Sequence, residues 1–96
     1  MTIEELTATL SGSTAPDVTP LLRALWHEAK GNWDEAHTIA QDVDDKAGAW
    51  VHAYLHRKEG DLSNAGYWYR QAVKPVATDS LEDEWNRIAT AFLANP

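Results

Sequence analysis

A chain of 96 residues, 44% hydrophobic and 24% charged, has the length of one domain and the composition of a globular one. Its formal net charge of −7 argues against a nucleic-acid partner, because phosphate-backbone binding rests on Lys and Arg. The absence of cysteine excludes disulfides, thiolate nucleophiles and the commonest structural zinc sites, and it suits a reducing, cytoplasmic setting. The start Met1-Thr2-Ile3-Glu4-Glu5 has no basic segment and no long apolar core, so no secretory signal is expected. No run approaches the roughly 18 apolar residues that cross a bilayer, so no membrane partner is expected either. Five Trp, each able to bury roughly 150–250 Å², predict more core than the length suggests.

Charge is unevenly spread. Residues 1–48 carry nine acids and three bases, residues 49–78 two acids and four bases, and residues 79–96 four acids and one base. The middle of the chain is therefore locally positive between two acidic flanks. This follows either from complementarity between neighbouring helices or from a positive binding patch.

In chain order the signals are helical throughout, and the expected class is all-α. Thr2 with Glu5 forms a capping box that opens an N-terminal helix over residues 1–12, with a thin stripe of Ile3, Leu6 and Leu10. Pro16 and small polar residues make 13–18 a linker. Thr19 as cap and Pro20 at the first helical position start the next helix, which stops at Gly31. Asn32 caps a third helix that runs to about Val43, and Asp44-Asp45-Lys46 is a turn. A fourth helix covers roughly Lys46 to Glu59 and stops at Gly60. Asp61 caps a fifth, with Leu62, Ala65, Tyr69, Ala72 and Val73 on its apolar side, and Pro75 ends it. Asp79, with Glu82, caps the last helix, where Leu81, Trp85, Ile88 and Phe92 share one face. The organisation expected is a single domain: an N-terminal helix (1–12), one hairpin (19–44), a second (46–74) and a C-terminal capping helix (79–94).

The two hairpins repeat. Ala29-Lys30-Gly31-Asn32-Trp33-Asp34-Glu35-Ala36 aligns with Lys58-Glu59-Gly60-Asp61-Leu62-Ser63-Asn64-Ala65 at an offset of 29, and His27 falls on His56. Gly followed by Asn or Asp closes one helix and caps the next, and Ala one turn later lets the two axes approach. Such a hairpin cannot bury its apolar face alone, so it stacks on a neighbour. These turns, with Tyr69 and Ala72 in the second helix, resemble the tetratricopeptide repeat family over residues 19 to 77. The resemblance implies two stacked helix-turn-helix units and a partner-binding role. It departs in period, 29 against roughly 34, and in phase. Helical spacing buries Leu21, Leu22, Leu25, Trp26 and Ala29, and in the second unit Trp50, Val51, Tyr54 and Leu55. The family would bury the positions of Arg23, Ala24 and His27, and of His52, Ala53 and His56. Either these helices are buried on two sides or their roles are rotated.

Four histidines carry most of the available chemistry. His52 and His56, four apart on one helix, have the spacing of a two-histidine metal edge. The repeat sets Arg23 and His27 at the matching points of the first hairpin, so these four side chains could form one column. It would serve anion or peptide binding, or a metal if a third ligand existed; the alternative is interior histidines hydrogen-bonded across a hairpin. His37 is expected alone at a surface or interface. In Tyr67-Trp68-Tyr69-Arg70, Tyr67 points away from the apolar side, so with Arg70 it suits an interaction surface. The paired carboxylates Asp34-Glu35, Asp44-Asp45 and Glu82-Asp83-Glu84 lie at helix starts or in a turn. No catalytic motif and no cofactor signature is present. The expectation is a small interaction module that binds a protein or peptide, an acidic one suiting its charges. The surface expected is Arg23, His27, His52, His56, Arg57, Tyr67 and Arg70. The competing readings are a metal-binding protein or small enzyme using the histidines, and a homodimer that hides the open ends of the stack.

Overall fold

A computed structural model of the chain describes residues 1–95. Among these residues there are six α-helices and no strand: α1 (Ile3–Ala8), α2 (Pro20–Ala29), α3 (Trp33–Gln41), α4 (Lys46–Glu59), α5 (Leu62–Ala72) and α6 (Leu81–Ala94). A short 3-10 turn over Thr9–Ser11 extends α1. No helix is long and apolar enough to cross a membrane.

The hairpin turns obey the repeat atom for atom. At the end of α2, Gly31 N–H donates to Glu28 O and Asn32 N–H to His27 O; at the end of α4, Gly60 N–H donates to Arg57 O and Asp61 N–H to His56 O. Both glycines sit at left-handed φ, 89° and 91°, where a Cβ is disfavoured. The end of α5 uses the same closure, Val73 N–H to Arg70 O and Lys74 N–H to Tyr69 O, but with Val73 at φ 57° in the glycine's place.

Helix starts follow local chemistry with some corrections. The Thr2–Glu5 capping box forms, Pro20 opens α2, and the Asp45 and Asp61 carboxylates accept from Gly48 N–H and Asn64 N–H. Thr19 and Asn32 occupy their cap positions without a side-chain bond. The cap of α6 is Ser80, whose hydroxyl accepts from Asp83 N–H, and not Asp79. Asp79 instead takes a 2.9 Å bond from Arg87 Nη1, and its backbone carbonyl accepts from Arg57.

α2 packs on α3 and α4 on α5, while α3 meets α4 so that the hairpins lie side by side. α6 lies across both hairpins, touching α2 and α4, and α1 packs on α6. The C-terminal helix is thus more than an end cap: Trp85 Nε1 donates to Leu25 O on α2 at 2.9 Å. α1 is anchored by fully buried Leu6, by Trp26 Nε1 donating to Thr9 Oγ1 at 3.0 Å, and by Lys30 Nζ donating to Leu10 O and Gly12 O.

The phase conflict resolves through burial on two sides. Every residue of α4 from Gly48 to His56 is buried. On α2, Leu21, Leu22, Ala24, Leu25, Trp26 and Glu28 are buried, and Arg23 and His27 are half-buried. Several apolar residues expected inside lie outside: Leu62 and Val73 are 69% and 70% exposed, and Leu81 is 36% exposed at the rim of α6.

Two buried carboxylates tie the layers. Glu28 on α2 pairs with Lys58 and accepts from Tyr54 Oη at 3.3 Å. Glu84 on α6 accepts from Arg57 at 2.8 Å and from Tyr69 Oη at 2.5 Å. Burial first, and then the neighbouring carboxylate, pushes both phenols well above the ordinary tyrosine value.

Gly48 marks a close backbone approach, because a Cβ there would lie 1.9 Å from Val43 O. Helix propensity alone would have Gly48→Ala stabilise α4 by about 1 kcal/mol. The clash reverses the sign, and urea denaturation is expected to show a loss of about 2 kcal/mol.

Candidate functional site

Three imidazoles meet where α3, α4 and α5 pack. His52 and His56 project from one face of α4, one turn apart, and His37 reaches them from α3. One ring nitrogen from each of the three lies within 4.8 Å of the others. The ring centroids are 4.7 Å (His37–His52), 5.4 Å (His37–His56) and 5.6 Å (His52–His56) apart. The buried residues of α3 are the small Ala36 and Ala40, so this helix packs closely on its neighbours.

Tryptophans wall the cluster. Trp33 stacks on His37 at 4.9 Å and 14°, and its Nε1 donates to Leu55 O on α4 at 2.8 Å, which fixes the start of α3. Trp68 on α5 lies 4.2 Å from His52. His52 and His56 are only 7% and 8% exposed, so what each nitrogen meets is decided inside the protein.

The nitrogens differ. His56 Nδ1 is 2.6 Å from Glu59 Oε2 and 3.5 Å from Asn64 Nδ2. An Nδ1–H donated to that carboxylate leaves the Nε2 lone pair of His56 free, the arrangement by which carboxylates orient metal-binding histidines. His52 Nε2 is buried with no hydrogen-bond partner. A buried imidazole nitrogen without a partner costs free energy unless something occupies it.

Electrostatics favour the neutral form of His52 and His37. Burial, then the neighbouring rings of His37 and His56, lowers the His52 pKa to about 4. Burial, then His56, lowers that of His37, with Glu59 and Asp34 opposing. Neutral rings retain the lone pairs a cation needs.

The structure disposes the expected surface differently from a single column. His52 and His56 come together, but their companion is His37, the residue expected to stand alone. His27, placed in the column with Arg23 by the repeat, lies edge-on to Trp26 at 5.2 Å with a buried, unpartnered Nδ1. Arg57 turns to α6 and is taken up by Glu84 and Asp79. Tyr67 and Arg70 are exposed on α5, with Tyr67 edge-on to Trp68 at 5.1 Å. A signal for His37 was present in the stripe Trp33, Ala36, His37 and Ala40, which puts it on the packed face of α3. Glu59 was legible only as the residue before a helix stop.

No family model, no curated protein and no solved structure matches the chain.

The depressed pKa of His52 has a consequence for stability. The unfolded chain, with its histidine near 6.5, binds a proton that the folded chain refuses until about 4. The stabilisation is therefore complete above about 6.5 and is lost as pH falls towards 4. Melting temperature is expected to drop across that window. In His52→Asn the drop should shrink; an identical pH profile would show that His52 does not titrate as argued.

Proposed function

We propose that this protein is a small metal-binding domain that holds one divalent transition-metal ion between His37, His52 and His56. The observation that carries the reading is the convergence of three imidazole nitrogens within 4.8 Å in a buried, tryptophan-walled site. Metal–nitrogen bonds near 2.0–2.1 Å in a tetrahedron set ligand nitrogens about 3.4 Å apart. Small rotations of the three rings close that gap. Three neutral imidazoles suit Zn²⁺, Cu²⁺, Ni²⁺ or Co²⁺, whereas Ca²⁺ and Mg²⁺ require oxygen ligands. Glu59 supports the reading as the carboxylate behind His56, and unpartnered His52 Nε2 supports it as a nitrogen that lacks an occupant.

Such an ion would join hairpin to hairpin, since His37 belongs to the first and His52 and His56 to the second. Binding is then linked to folding. The hairpins themselves we read as a short, divergent pair of tetratricopeptide-like repeats, on the identical closures at Gly31 and Gly60 and the constant offset of 29. Metal binding is favoured over a partner surface made of the histidines and Arg57, because those side chains are turned inward or already paired. The lack of cysteine accords with a cytoplasmic site for this chemistry.

Calorimetry on tag-free protein at neutral pH should give one Zn²⁺ or Ni²⁺ per chain and no Mg²⁺. His37→Ala should abolish binding, and His27→Ala should leave it unchanged. Glu59→Gln should weaken it about tenfold, as loss of an orienting carboxylate does elsewhere. Saturating Zn²⁺, at about 100 times its dissociation constant, should stabilise the wild type by about 2.7 kcal/mol. Binding that survives His37→Ala and His52→Asn together would remove the proposal.

A further inference from the structure

A second surface, distant in character from the histidines, carries its own argument. Where α4 begins, α5 ends and α6 finishes, an open groove of about 550 Å³ runs over Trp50. Ala47, Trp50, Val73 and Phe92 supply its apolar lining, and Lys46 and Lys74 flank them. Trp50 and Phe92 meet edge to face at 5.8 Å, and Lys74 Nζ lies 4.3 Å from the Trp50 ring centroid.

Charge distinguishes this groove from the rest of the molecule. The chain has 15 acidic and 8 basic residues, yet among the described residues no carboxylate lines the groove. Neither lysine pairs with a carboxylate among the described residues, a condition they share with Arg23, Lys30 and Arg70, whereas Arg57, Lys58 and Arg87 are engaged by Glu or Asp. An adjoining apolar recess formed by Pro20, Leu21 and Val43 continues the band past Ala47 and Phe92, without a carboxylate among the described residues, while the recess on the other side of Lys74 includes Asp79 beside Arg87.

Val73 gives an independent sign. It occupies the left-handed closing position that Gly31 and Gly60 fill in the two other hairpin closures. A β-branched residue at φ 57° is strained, by steric conflict between its side chain and the backbone. Its side chain is nonetheless 70% exposed, so core packing does not offset the strain. Strain held at an exposed apolar position points to a contact made outside the chain.

We infer that this groove docks an acidic peptide segment of a partner protein, with an apolar side chain seated against Trp50, Val73 and Phe92 and carboxylates received by Lys46 and Lys74. The occupant is acidic because the flanks are cationic and uncompensated. It carries apolar side chains because the floor is aromatic. A second copy of this chain, at net charge −7, would face repulsion from the remainder of its surface.

The probe is a short synthetic amphipathic peptide of Leu and Glu, with a Leu/Lys counterpart as control, followed by NMR of the backbone and indole N–H groups. The Leu/Glu peptide should bind saturably, shift the Trp50 indole signal and weaken with added salt. The Leu/Lys peptide should bind at least about tenfold more weakly. Lys46→Glu with Lys74→Glu should erase that preference; negative charge at the start of α4 suits the helix dipole, so the fold is retained. Val73→Gly should raise the melting temperature and yet weaken the peptide, a combination that a merely structural residue would not give. His37→Ala should leave peptide binding intact, which separates this surface from the metal proposal. Equal binding of both peptides, indifference to the double charge reversal, or a dimer in light scattering that dissociates in Val73→Gly would overturn the inference.

Discussion

The rest of the structure is arranged around a helix that has no solvent face over most of its length. From Gly48 to His56, α4 is covered by α3, α5, α2 and α6 in turn. A helix hydrophobic all round can be buried without further provision. This one carries two histidines in the covered stretch, and covering them obliges the neighbours to supply polar or aromatic company. His37, Trp33, Trp68, Asn64 and Glu59 are that company. The candidate metal centre is thus a consequence of where α4 sits.

The buried charges follow the same logic on the other side of the helix. Arg57 comes one residue after His56, about 100° around the axis, and so faces α6 where His56 faces α3. There Glu84 and Asp79 receive it, while Lys58 reaches back to Glu28 on α2. Breaking such a pair leaves an uncompensated charge, which is costlier than never having buried it. The Arg57–Glu84 pair therefore holds α6 on the second hairpin, and the Lys58–Glu28 pair ties the two hairpins together. They also explain the locally positive middle of the chain: part of it, at Arg57 and Lys58, is complementarity between helices, and part, at Arg70 and Lys74, has no carboxylate partner among the described residues.

Chemistry divides between two ends of the second hairpin. Near the turn at Gly60, three imidazoles form the candidate site for a divalent transition-metal ion. At the opposite end, where α4 starts and α5 closes on Val73, the proposed peptide groove sets two lysines beside Trp50 and Phe92. The two are built from different residues and respond to different variables, protons and transition metals for one, ionic strength for the other.

Local chemistry was written in the sequence by itself: the all-α class, the helix boundaries to within a residue or two, the Thr2 box, the closures at Gly31 and Gly60 and the 29-residue repeat. These depend on contacts between residues three to five apart, which are the same in any fold that contains the helix. Even there, competition decided one case, since Asp79 left the cap of α6 to Ser80 once Arg57 and Arg87 were within reach. Tertiary structure alone decided that α4 is buried on both sides, that α6 spans two hairpins, and that His37 completes a trio with His52 and His56 where His27 and Arg23 do not. It also decided that Leu62 and Val73, apolar and correctly spaced, lie outside. Helical periodicity states which residues share a face, but the identity of the neighbour on that face is fixed by packing between segments far apart in the chain. A site made from two hairpins comes into being only at that step.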